Sequence, residues 1–352
     1  MSGKLDWGLM LAVKSKAADY TPADARSSES SSTWKQIVGP VEPFLRAVTV
    51  FLEEQLGAFE PEVAAYARYA LTNQGKQLRP ALVALSAGAA GKKNDGLVTV
   101  AAIIEMVHLA TLVHDDVTDH ASIRRCRPTM AANWGNTASV LVGDCLFAHA
   151  LTLAAAFPTP DICRAVAQAT KIVCSGEILQ TQRRGCIGLG RKEYDRIIRM
   201  KTAELFALSC ELGAHMGGAQ PNQRAALRAY GISLGMAYQI YDDCLDLFGS
   251  ENKAGKSLGT DLIGGKLTLP VIVSLERGTP SDRREIEHLI ADGDANGLPR
   301  LRVLLDKYDA LAESQRVICD HCRVANECLS VLKPGPERDS LMSASAFIAR
   351  QA

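Results

Sequence analysis

The sequence predicts an all-α protein. Apolar residues recur at spacings of three and four along most of the chain, which is the period of a helix with one buried face. Continuous alternation with a period of two is absent, and no Asn-Gly turn joins two β-branched runs. The chain has 352 residues, of which 47% are hydrophobic, so it can bury a large core. These observations favour many long helices packed in one large domain, although the length also allows two domains.

Residues 1–33 differ from the rest of the chain, because their second half is rich in Ser, Ala, Asp, Thr and Pro and has no apolar period. We predict a flexible N-terminal tail there and one helical domain over residues 34–352. Within the domain, Pro61 and Pro160 mark helix starts and Gly57 marks a helix end. The predicted helices cover residues 41–56, 63–71, 97–113, 139–156, 162–179, 194–212 and 223–247.

Charge, hydropathy and cysteine content exclude several classes of protein. Lys plus Arg and Asp plus Glu each number 39, so the formal net charge is zero and binding to nucleic acid is not expected. The most apolar stretch, residues 98–113, is interrupted by Glu105 and His108 and is too short to cross a bilayer, so we predict no transmembrane segment. The 10 cysteines have no framework spacing, and no signal peptide is evident. We therefore expect a reduced, cytoplasmic protein.

Two aspartate clusters indicate metal chemistry. Residues 115–119 and 242–246 both read Asp-Asp-x-x-Asp, and each follows a strongly apolar helical stretch. In a helix, the first and last Asp of this motif share a face. Like charges at that spacing destabilise a helix, and hard divalent cations offset the cost because they prefer carboxylate ligands. One cluster would equally fit a solvated acidic helix end, but two copies favour a Mg²⁺ site. The predicted metal ligands are Asp115, Asp116, Asp119, Asp242, Asp243 and Asp246.

Basic residues accompany both clusters. Mg²⁺ keeps several waters and usually bridges to phosphate oxygens. Arg binds phosphate bidentately, and Lys binds it as a point charge. A single basic residue is usually a solvated surface charge, but several beside two acidic clusters in a neutral protein indicate one polyanion site. These residues are Lys76, Arg79, Arg124, Arg125, Arg127, Lys201, Lys256 and Lys266.

Together, these motifs resemble the trans-isoprenyl diphosphate synthase family, of the long-chain polyprenyl synthetase type, over residues 40–348. The departures are few. Gln77 and Cys126 stand where a basic residue and Gly are common, and neither removes a predicted ligand. The resemblance is carried by the two aspartate motifs, Gly75-Lys76-x-x-Arg79-Pro80, Arg124-Arg125 with Pro128-Thr129, Gly135-Asn136-x-x-Ser139-Val140-Leu141-x-Gly143-Asp144, Lys201-Thr202, Gln239, Gly259-x-Asp261 and Gly265-Lys266-x-Thr268-Leu269-Pro270.

The resemblance implies an all-α barrel of about ten core helices around a deep apolar cavity, usually as a homodimer. It also implies a reaction in which an allylic diphosphate ionises, the double bond of isopentenyl diphosphate attacks the allylic cation, and a proton is lost. About three Mg²⁺ ions would accompany the bound substrate. A long product would be lipophilic, so transient membrane contact at its release is a further hypothesis.

Residue roles follow from the resemblance by position. The chemistry would be leaving-group catalysis, in which metal ions and fixed cations stabilise the departing diphosphate. The expected catalytic residues are Asp115, Asp116, Asp119, Lys201, Asp242 and Asp243. The allylic diphosphate would contact Arg124, Lys201, Thr202, Gln239, Lys256 and Lys266. Isopentenyl diphosphate would contact Lys76, Arg79, His108 and Arg125.

Product length in this family is expected to follow the depth of the cavity. Ala110 and Thr111 lie one helical turn before Asp115 and are small, whereas short-chain members usually have bulky aromatics there. One turn rises about 5.4 Å, similar to one isoprene unit, so we predict a product of about twenty-five carbons or more. Candidates for a deeper floor, which could also be ordinary core residues, are Met106, Ile103 and Phe147.

Two other functions share part of this pattern. A terpene cyclase of similar fold usually has an Asn/Ser/Glu second motif and lacks the set formed here by Lys76, Arg79 and Arg125. A non-catalytic regulatory subunit of a heteromeric synthase usually loses aspartate clusters. Because both clusters and the basic set are present, the sequence favours elongation over either alternative. A partner subunit that modulates product length stays open.

Overall fold

The computed structural model describes residues 34–72, 75–91, 94–249 and 258–351, and it confirms the all-α prediction. The predicted tail, residues 1–33, lies outside the described residues and stays a prediction, as does the domain boundary. A π-helical turn, Arg199–Ala203, joins α7 to α8. The helices are, in chain order, α1 (Glu42–Glu54), α2 (Pro61–Thr72), α3 (Leu78–Ala90), α4 (Leu97–Thr118), α5 (Met130–Ala155), α6 (Asp161–Gln182), α7 (Arg191–Ile198), α8 (Glu204–Met216), α9 (Pro221–Phe248), α10 (Thr260–Ile263), α11 (Leu269–Arg277), α12 (Pro280–Asp292), α13 (Leu298–Lys307), α14 (Ala310–Cys328) and α15 (Pro336–Gln351).

Helix α4 lies in the core and carries the first aspartate cluster at its end. Its sequence is mostly apolar up to the aspartates, with Glu105 and His108 among the exceptions, and a helix of this kind is mostly buried. It packs against α1, α3, α5 and α8. Ile103, Ile104 and Met106 have no exposed surface, and each buried side chain of this size contributes about 1.5–3 kcal/mol. This packing holds the aspartates at the end of a rigid helix.

Helix α9 carries the second aspartate cluster in its last turns. It begins at Pro221, and the side chains of Gln220 and Gln223 form a capping box that satisfies backbone N–H groups at its start. It packs against α8, α14 and the π turn. Both clusters are thus fixed by long, well-packed helices.

Two predicted helices have different bounds in the structure. The predicted helix 194–212 is divided by the π turn. The spacing of apolar residues did not reveal the extra residue that such a turn contains. The predicted helix 139–156 begins earlier, at Met130, and passes through a kink at Gly135 (φ 81°).

The predicted helices end at residue 247, so the bounds of α10 to α15 were not predicted. Before residue 247, two further elements were missed. Helix α3 is apolar on nearly every face. Its sequence therefore lacks the apolar spacing of three and four residues from which the other helices were predicted. A hairpin of two short strands, β1 (Ile123–Arg124) and β2 (Arg127–Pro128), follows the first aspartate cluster. Strands of two residues are too short to show an alternating pattern.

Helices α4 and α5, with 22 and 26 residues, are each long and apolar enough to cross a membrane by length and composition alone. The prediction of no transmembrane segment rested on residues 98–113, which are too few to cross a bilayer. Helix α4 extends beyond both ends of this stretch. The core helix of a folded domain passes the same test, and 67% of the apolar window of α4 is buried. For α5 only 33% is buried, which leaves an apolar face at the surface.

Candidate active site

Cations surround the first aspartate cluster at the end of α4. Asp119 is the C-cap residue and accepts hydrogen bonds from Arg184 Nη2 and Lys266 Nζ, each at 2.7 Å. Burial raises the pKa of Asp119, but Lys266 and its cationic neighbours bring it below the usual value. Asp116 is buried and accepts a 2.6 Å hydrogen bond from Arg124 Nε. These two carboxylates are therefore held in place by charge-assisted hydrogen bonds.

Asp115, the first residue of this cluster, has a different environment. It is half-buried. Burial and the like charge of Glu177 raise the pKa of Asp115 to about 7, against the opposing charges of Lys201 and Arg124. A carboxyl group with this pKa holds its proton in slightly acidic solution and releases it to solvent when a cation binds.

Hydrogen bonds from inside the protein fix Asp243 in the second cluster. Its carboxylate accepts from Tyr194 Oη at 2.6 Å and from Gln239 Nε2 at 2.7 Å. Gln239 Oε1 in turn accepts a 2.6 Å hydrogen bond from Thr202 Oγ1. Burial raises the pKa of Asp243 to about 6, and these donors oppose the shift because they favour the ionised form. One chain of side chains thus connects α7, α9 and the π turn.

The other two aspartates of the second cluster are placed differently from each other. Asp246 has no exposed surface and accepts from Thr260 Oγ1 at 2.9 Å and from the Asp261 backbone N–H at 3.0 Å. Both of its oxygens hold the turn that begins α10, and none of its surface is exposed, so its role as a metal ligand stays a prediction. Asp242 is partly exposed, and it contributes to a raised pKa of Arg124 together with aspartates of the first cluster, against the effect of burial. Both clusters are therefore within electrostatic reach of one guanidinium group.

Lys201 lies on the π turn, between the clusters. Its Nζ donates to Gln180 Oε1 at 2.7 Å and lies 3.7 Å from Glu177 Oε1. Burial lowers the pKa of Lys201, but the carboxylates of Glu177 and Asp115 raise it above its usual value, so the ammonium stays charged. π-helical turns are rare and are frequent at functional sites.

Sequence reasoning did not identify Glu177, Gln180 or Tyr194. Glu177 and Gln180 are three residues apart on α6 and share a face, so their spacing on an otherwise apolar face is a signal that could have found them. Tyr194 has no comparable signal, since a buried aromatic residue is usually a core residue. Of the predicted residues, Lys256 lies outside the described ranges.

Three of the residues predicted to bind isopentenyl diphosphate, Arg79, His108 and Arg125, lie near the buried carboxylate of Glu105. The guanidinium of Arg79 lies 4.9 Å from the centre of the Phe206 ring, and Arg79 Nε, which is buried, has no hydrogen-bond partner among the described residues. Burial raises the pKa of Glu105, and Arg79 and Arg125 oppose the shift. Burial and these arginines keep the pKa of His108 well below its usual value, so the imidazole is neutral. Two guanidinium groups beside one carboxylate leave net positive charge, which suits an anion.

Lys76 and the backbone before α3 border the same group of residues. Lys76 Nζ lies 5.6 Å from the centre of the Phe347 ring of α15, and burial lowers the pKa of Lys76. A Cβ atom at Gly75 would lie 2.6 Å from Arg125 Nη2, so only glycine allows this approach of the guanidinium to the backbone. The structure thus brings Lys76, Arg79, His108 and Arg125 into one region.

Mg²⁺ was predicted at the aspartates, and the donor set fits this ion. Within the described ranges, no three acidic, His or Cys side chains are close enough to hold a metal by themselves. Mg²⁺ is usually bound by one or two carboxylates, with waters and substrate phosphates as its other ligands. The carboxylates of the two clusters are therefore suited to an ion whose coordination a diphosphate completes.

The residues predicted to set product length lie on α4 and α5. Ala110 and Met106 have no exposed surface, as does Ile103. Thr111 is half-buried and donates to the His108 carbonyl at 2.7 Å. Phe147 is half-buried, with its ring centre 5.7 Å from that of His114. Their role as the wall of a cavity stays a prediction.

The sequence is similar to proteins of one family. A family model described as polyprenyl synthetase matches residues 60–301. The octaprenyl diphosphate synthase of Escherichia coli (strain K12) is 32% identical over 301 residues, which are 85% of this chain and 93% of that protein. A short chain isoprenyl diphosphate synthase of Methanothermobacter thermautotrophicus is 33% identical over 302 residues, 84% of this chain and 93% of that protein.

Solved structures are similar over almost the whole fold. A decaprenyl diphosphate synthase from Rhodobacter capsulatus has a TM-score of 0.84 at 31% identity, and the match covers 90% of this chain and 98% of that one. A polyprenyl synthase from Caulobacter crescentus, complexed with calcium and isoprenyl diphosphate, has a TM-score of 0.86 at 32% identity, covering 90% of this chain and 97% of that one.

Proposed function

The chain belongs to the polyprenyl synthetase family and is a trans-prenyltransferase, and on this premise we propose that it condenses isopentenyl diphosphate with an allylic diphosphate to give an all-trans polyprenyl diphosphate, with Mg²⁺ as its cofactor. The observation that carries the proposal is that carboxylates of both aspartate clusters interact electrostatically with Arg124 and with Lys201. A metal-bound diphosphate requires carboxylates that bind the metal ion and, beside them, basic side chains that bind the diphosphate.

We assign the metal contacts to Asp115, Asp119 and Asp242, which are partly exposed. Asp246 and the second aspartate of each motif are buried and hydrogen-bonded within the protein, and we assign them the role of holding the cluster in shape. When bound, Mg²⁺ neutralises the diphosphate and stabilises the charge that it gains as it leaves.

The chain's own residues supply the other parts of the mechanism. Lys201 and Arg124 are held rigidly and stabilise negative charge as it develops on the departing diphosphate. Arg79 and Arg125 bind the diphosphate of isopentenyl diphosphate, and neutral His108 adds a hydrogen bond without repelling them. The double bond then attacks the allylic cation, and the departing diphosphate accepts the proton that is lost. The apolar surface of α4 keeps water from the cation.

We further propose a product of about twenty-five carbons or more, because Ala110 and Thr111 leave room one helical turn beyond the metal site. The relatives bear names of different product classes, including octaprenyl and short chain, so the length rests on these residues.

The exposed face of α5 supports a homodimer. Trp134, Val140 and Leu141 of this helix are 40%, 41% and 59% exposed. We propose that a second copy of the chain covers them, that the enzyme is cytoplasmic, and that a lipophilic product brings transient membrane contact at its release. Flotation with liposomes in the presence of product tests the last point, and absence of association would contradict it.

The experiment that tests the function is a product assay on the purified protein. Mg²⁺, labelled isopentenyl diphosphate and, separately, primers of different length are supplied, and dephosphorylated products are resolved by reverse-phase chromatography. We expect a ladder that ends beyond about twenty carbons. A shorter ladder would keep the reaction and refute the assigned length. Cyclic hydrocarbon formed without isopentenyl diphosphate would favour a terpene cyclase, and no incorporation with any primer would favour a subunit that needs a partner.

A further inference from the structure

We infer that Tyr69 of α2 is a positioning residue for the arginine hairpin, Ile123–Pro128, and that it acts on substrate binding through Arg125. The hairpin carries Arg124 and Arg125 toward the site, and the inference rests on the proposed function for these two arginines. Tyr69 belongs to neither the aspartate clusters nor the basic set.

The arginine hairpin is short, and Thr129 closes its base through hydrogen bonds to the carbonyls of Ala121 and Ser122. Its strands have two residues each, and pair Ile123 with Pro128 and Arg124 with Arg127. The turn residues Arg125 and Cys126 both have positive φ, 52° and 58°. Turns of this type favour Gly and Asn, because other side chains are strained in that conformation. An isolated hairpin is at best marginally stable in water, so this one depends on outside contacts.

Tyr69 supplies two of these contacts. Its Oη donates a 2.6 Å hydrogen bond to the carbonyl of Pro128, at the end of β2. The guanidinium of Arg127 lies 4.5 Å from the centre of the Tyr69 ring, which is a cation–π contact. Trp134 of α5 meets the Tyr69 ring edge-on, with the ring centres 4.9 Å apart, and fixes its orientation. Tyr69 therefore holds β2 through the backbone of Pro128 and the side chain of Arg127.

Strand β1 and the turn carry the two arginines of the site, Arg124 and Arg125. Arg124 is bonded to Asp116, and Arg125 approaches the backbone at Gly75. Tyr69, Asp116 and Arg124 line one small cavity of about 20 Å³, so little space separates Tyr69 from the site. Loss of the contacts with Tyr69 would let the strained turn relax. Because Arg125 lies on that turn, its guanidinium would lose its position against the buried set around Arg79.

The test compares two variants of Tyr69 with a matched control. Tyr69→Phe removes the hydrogen bond and keeps the ring, and Tyr69→Leu removes both. Tyr66→Phe is the control, because Tyr66 lies one turn earlier on α2 and packs on the same Trp134 ring, with its centre 5.2 Å away. Binding of isopentenyl diphosphate without primer is measured by calorimetry, alongside KM, kcat and Tm. Binding does not require turnover, so a failure of the proposed elongation would leave this test intact.

We expect Tyr69→Phe to weaken binding of isopentenyl diphosphate up to about tenfold and Tyr69→Leu to weaken it further, with kcat changed less than KM. Tyr66→Phe should leave the affinity unchanged. In an Arg125→Ala background, the Tyr69 substitutions should add no further loss. Wild-type affinity in Tyr69→Phe, or the same loss with and without Arg125, would overturn the inference. So would a fall in Tm and kcat with unchanged KM, which would mean a merely structural role.

Discussion

Asp115 and Asp243 both have raised pKa values, about 7 and about 6, and burial is the main cause for each. Their surroundings differ otherwise. Asp243 accepts hydrogen bonds from Tyr194 and Gln239, which favour its ionised form. Asp115 experiences repulsion from Glu177, and a bound cation would relieve it. Since a metal ion binds the ionised carboxylate, binding at Asp115 must displace the proton that this group holds in slightly acidic solution.

The first prediction concerns this proton. We expect the Mg²⁺ concentration for half-maximal activity to fall as the pH rises from about 6 to about 8, by up to about tenfold per pH unit on the acidic side. The sign follows from the raised pKa, because protons compete with the metal below about 7. Mg²⁺ titrations of activity at several pH values measure the effect. Glu177→Gln removes the repulsion and should flatten the dependence. An Mg²⁺ requirement that does not change with pH would contradict the assignment of Asp115 as a ligand.

The second prediction concerns Ala110. Ala110→Phe places an aromatic ring one turn from the metal site and should shorten the product, which reverse-phase chromatography of the dephosphorylated chains would show. Ala110 has no exposed surface, so the larger side chain should also cost about 1–3 kcal/mol of stability. Ala110→Gly is the matched control and should keep the wild-type product. An unchanged product distribution in a folded Ala110→Phe protein would refute the role of this position.

At the scale of elements, the π turn and α6 together place Lys201. A Cβ atom at Gly176 would lie 2.6 Å from the backbone N of Lys201, so the two backbones touch there. On the same helix, the adjacent residue Glu177 and Gln180, one turn on, reach the Lys201 ammonium. The close approach and the hydrogen bond therefore depend on each other, and a change in the backbone spacing would move the charge.

The third prediction tests this dependence. Gly176→Ala should lower kcat/KM by about tenfold to a hundredfold, because displacement of a catalytic group by about 1 Å has effects of that size. Steady-state kinetics with the allylic primer varied, together with Tm, measure the change. Gly57→Ala is a suitable control, since a Cβ atom at Gly57 would meet nothing within 4 Å. Equal activity of the two variants would show that the approach of α6 does not place Lys201.

At the scale of the whole molecule, α4 and α5 have similar apolar sequences and different surroundings. The apolar window of α4 is 67% buried and that of α5 only 33%. Large exposed apolar patches on a folded protein mark a surface that another molecule covers. A second copy is the covering molecule that we propose for α5.

The fourth prediction tests this surface. Leu141→Asp should convert the proposed dimer to a monomer in size-exclusion chromatography with light scattering, because a charge cannot be buried unpaired in an apolar interface. Val303→Asp on α13 is the matched control, since Val303 is 56% exposed and Leu141 59%. We expect the control to keep the wild-type mass. A monomeric wild-type protein, or an unchanged mass for Leu141→Asp, would refute the interface.

The sequence by itself determined the helical class of this protein and the kind of chemistry that it performs. Apolar periods of three and four are a local property, and they identified most of the helices. The two Asp-Asp-x-x-Asp motifs predicted a metal and diphosphate site, because the spacing within each motif is also local. The same reasoning missed α3 and the arginine hairpin, where the local pattern is uniform or too short, and it gave no bounds for α10 to α15.

Only the tertiary structure decided which aspartates of the two motifs are buried and which are exposed. The last aspartate is exposed in the first motif, as Asp119, and fully buried in the second, as Asp246, because Thr260 and Asp261 return to hydrogen-bond Asp246. The partners that set these environments are distant in sequence. Tyr194 is 49 residues from Asp243, and Lys266 is 147 residues from Asp119. A periodic pattern states which face of a helix is apolar, but burial, charge pairing and pKa depend on what packs against that face, and packing is settled when the whole chain folds.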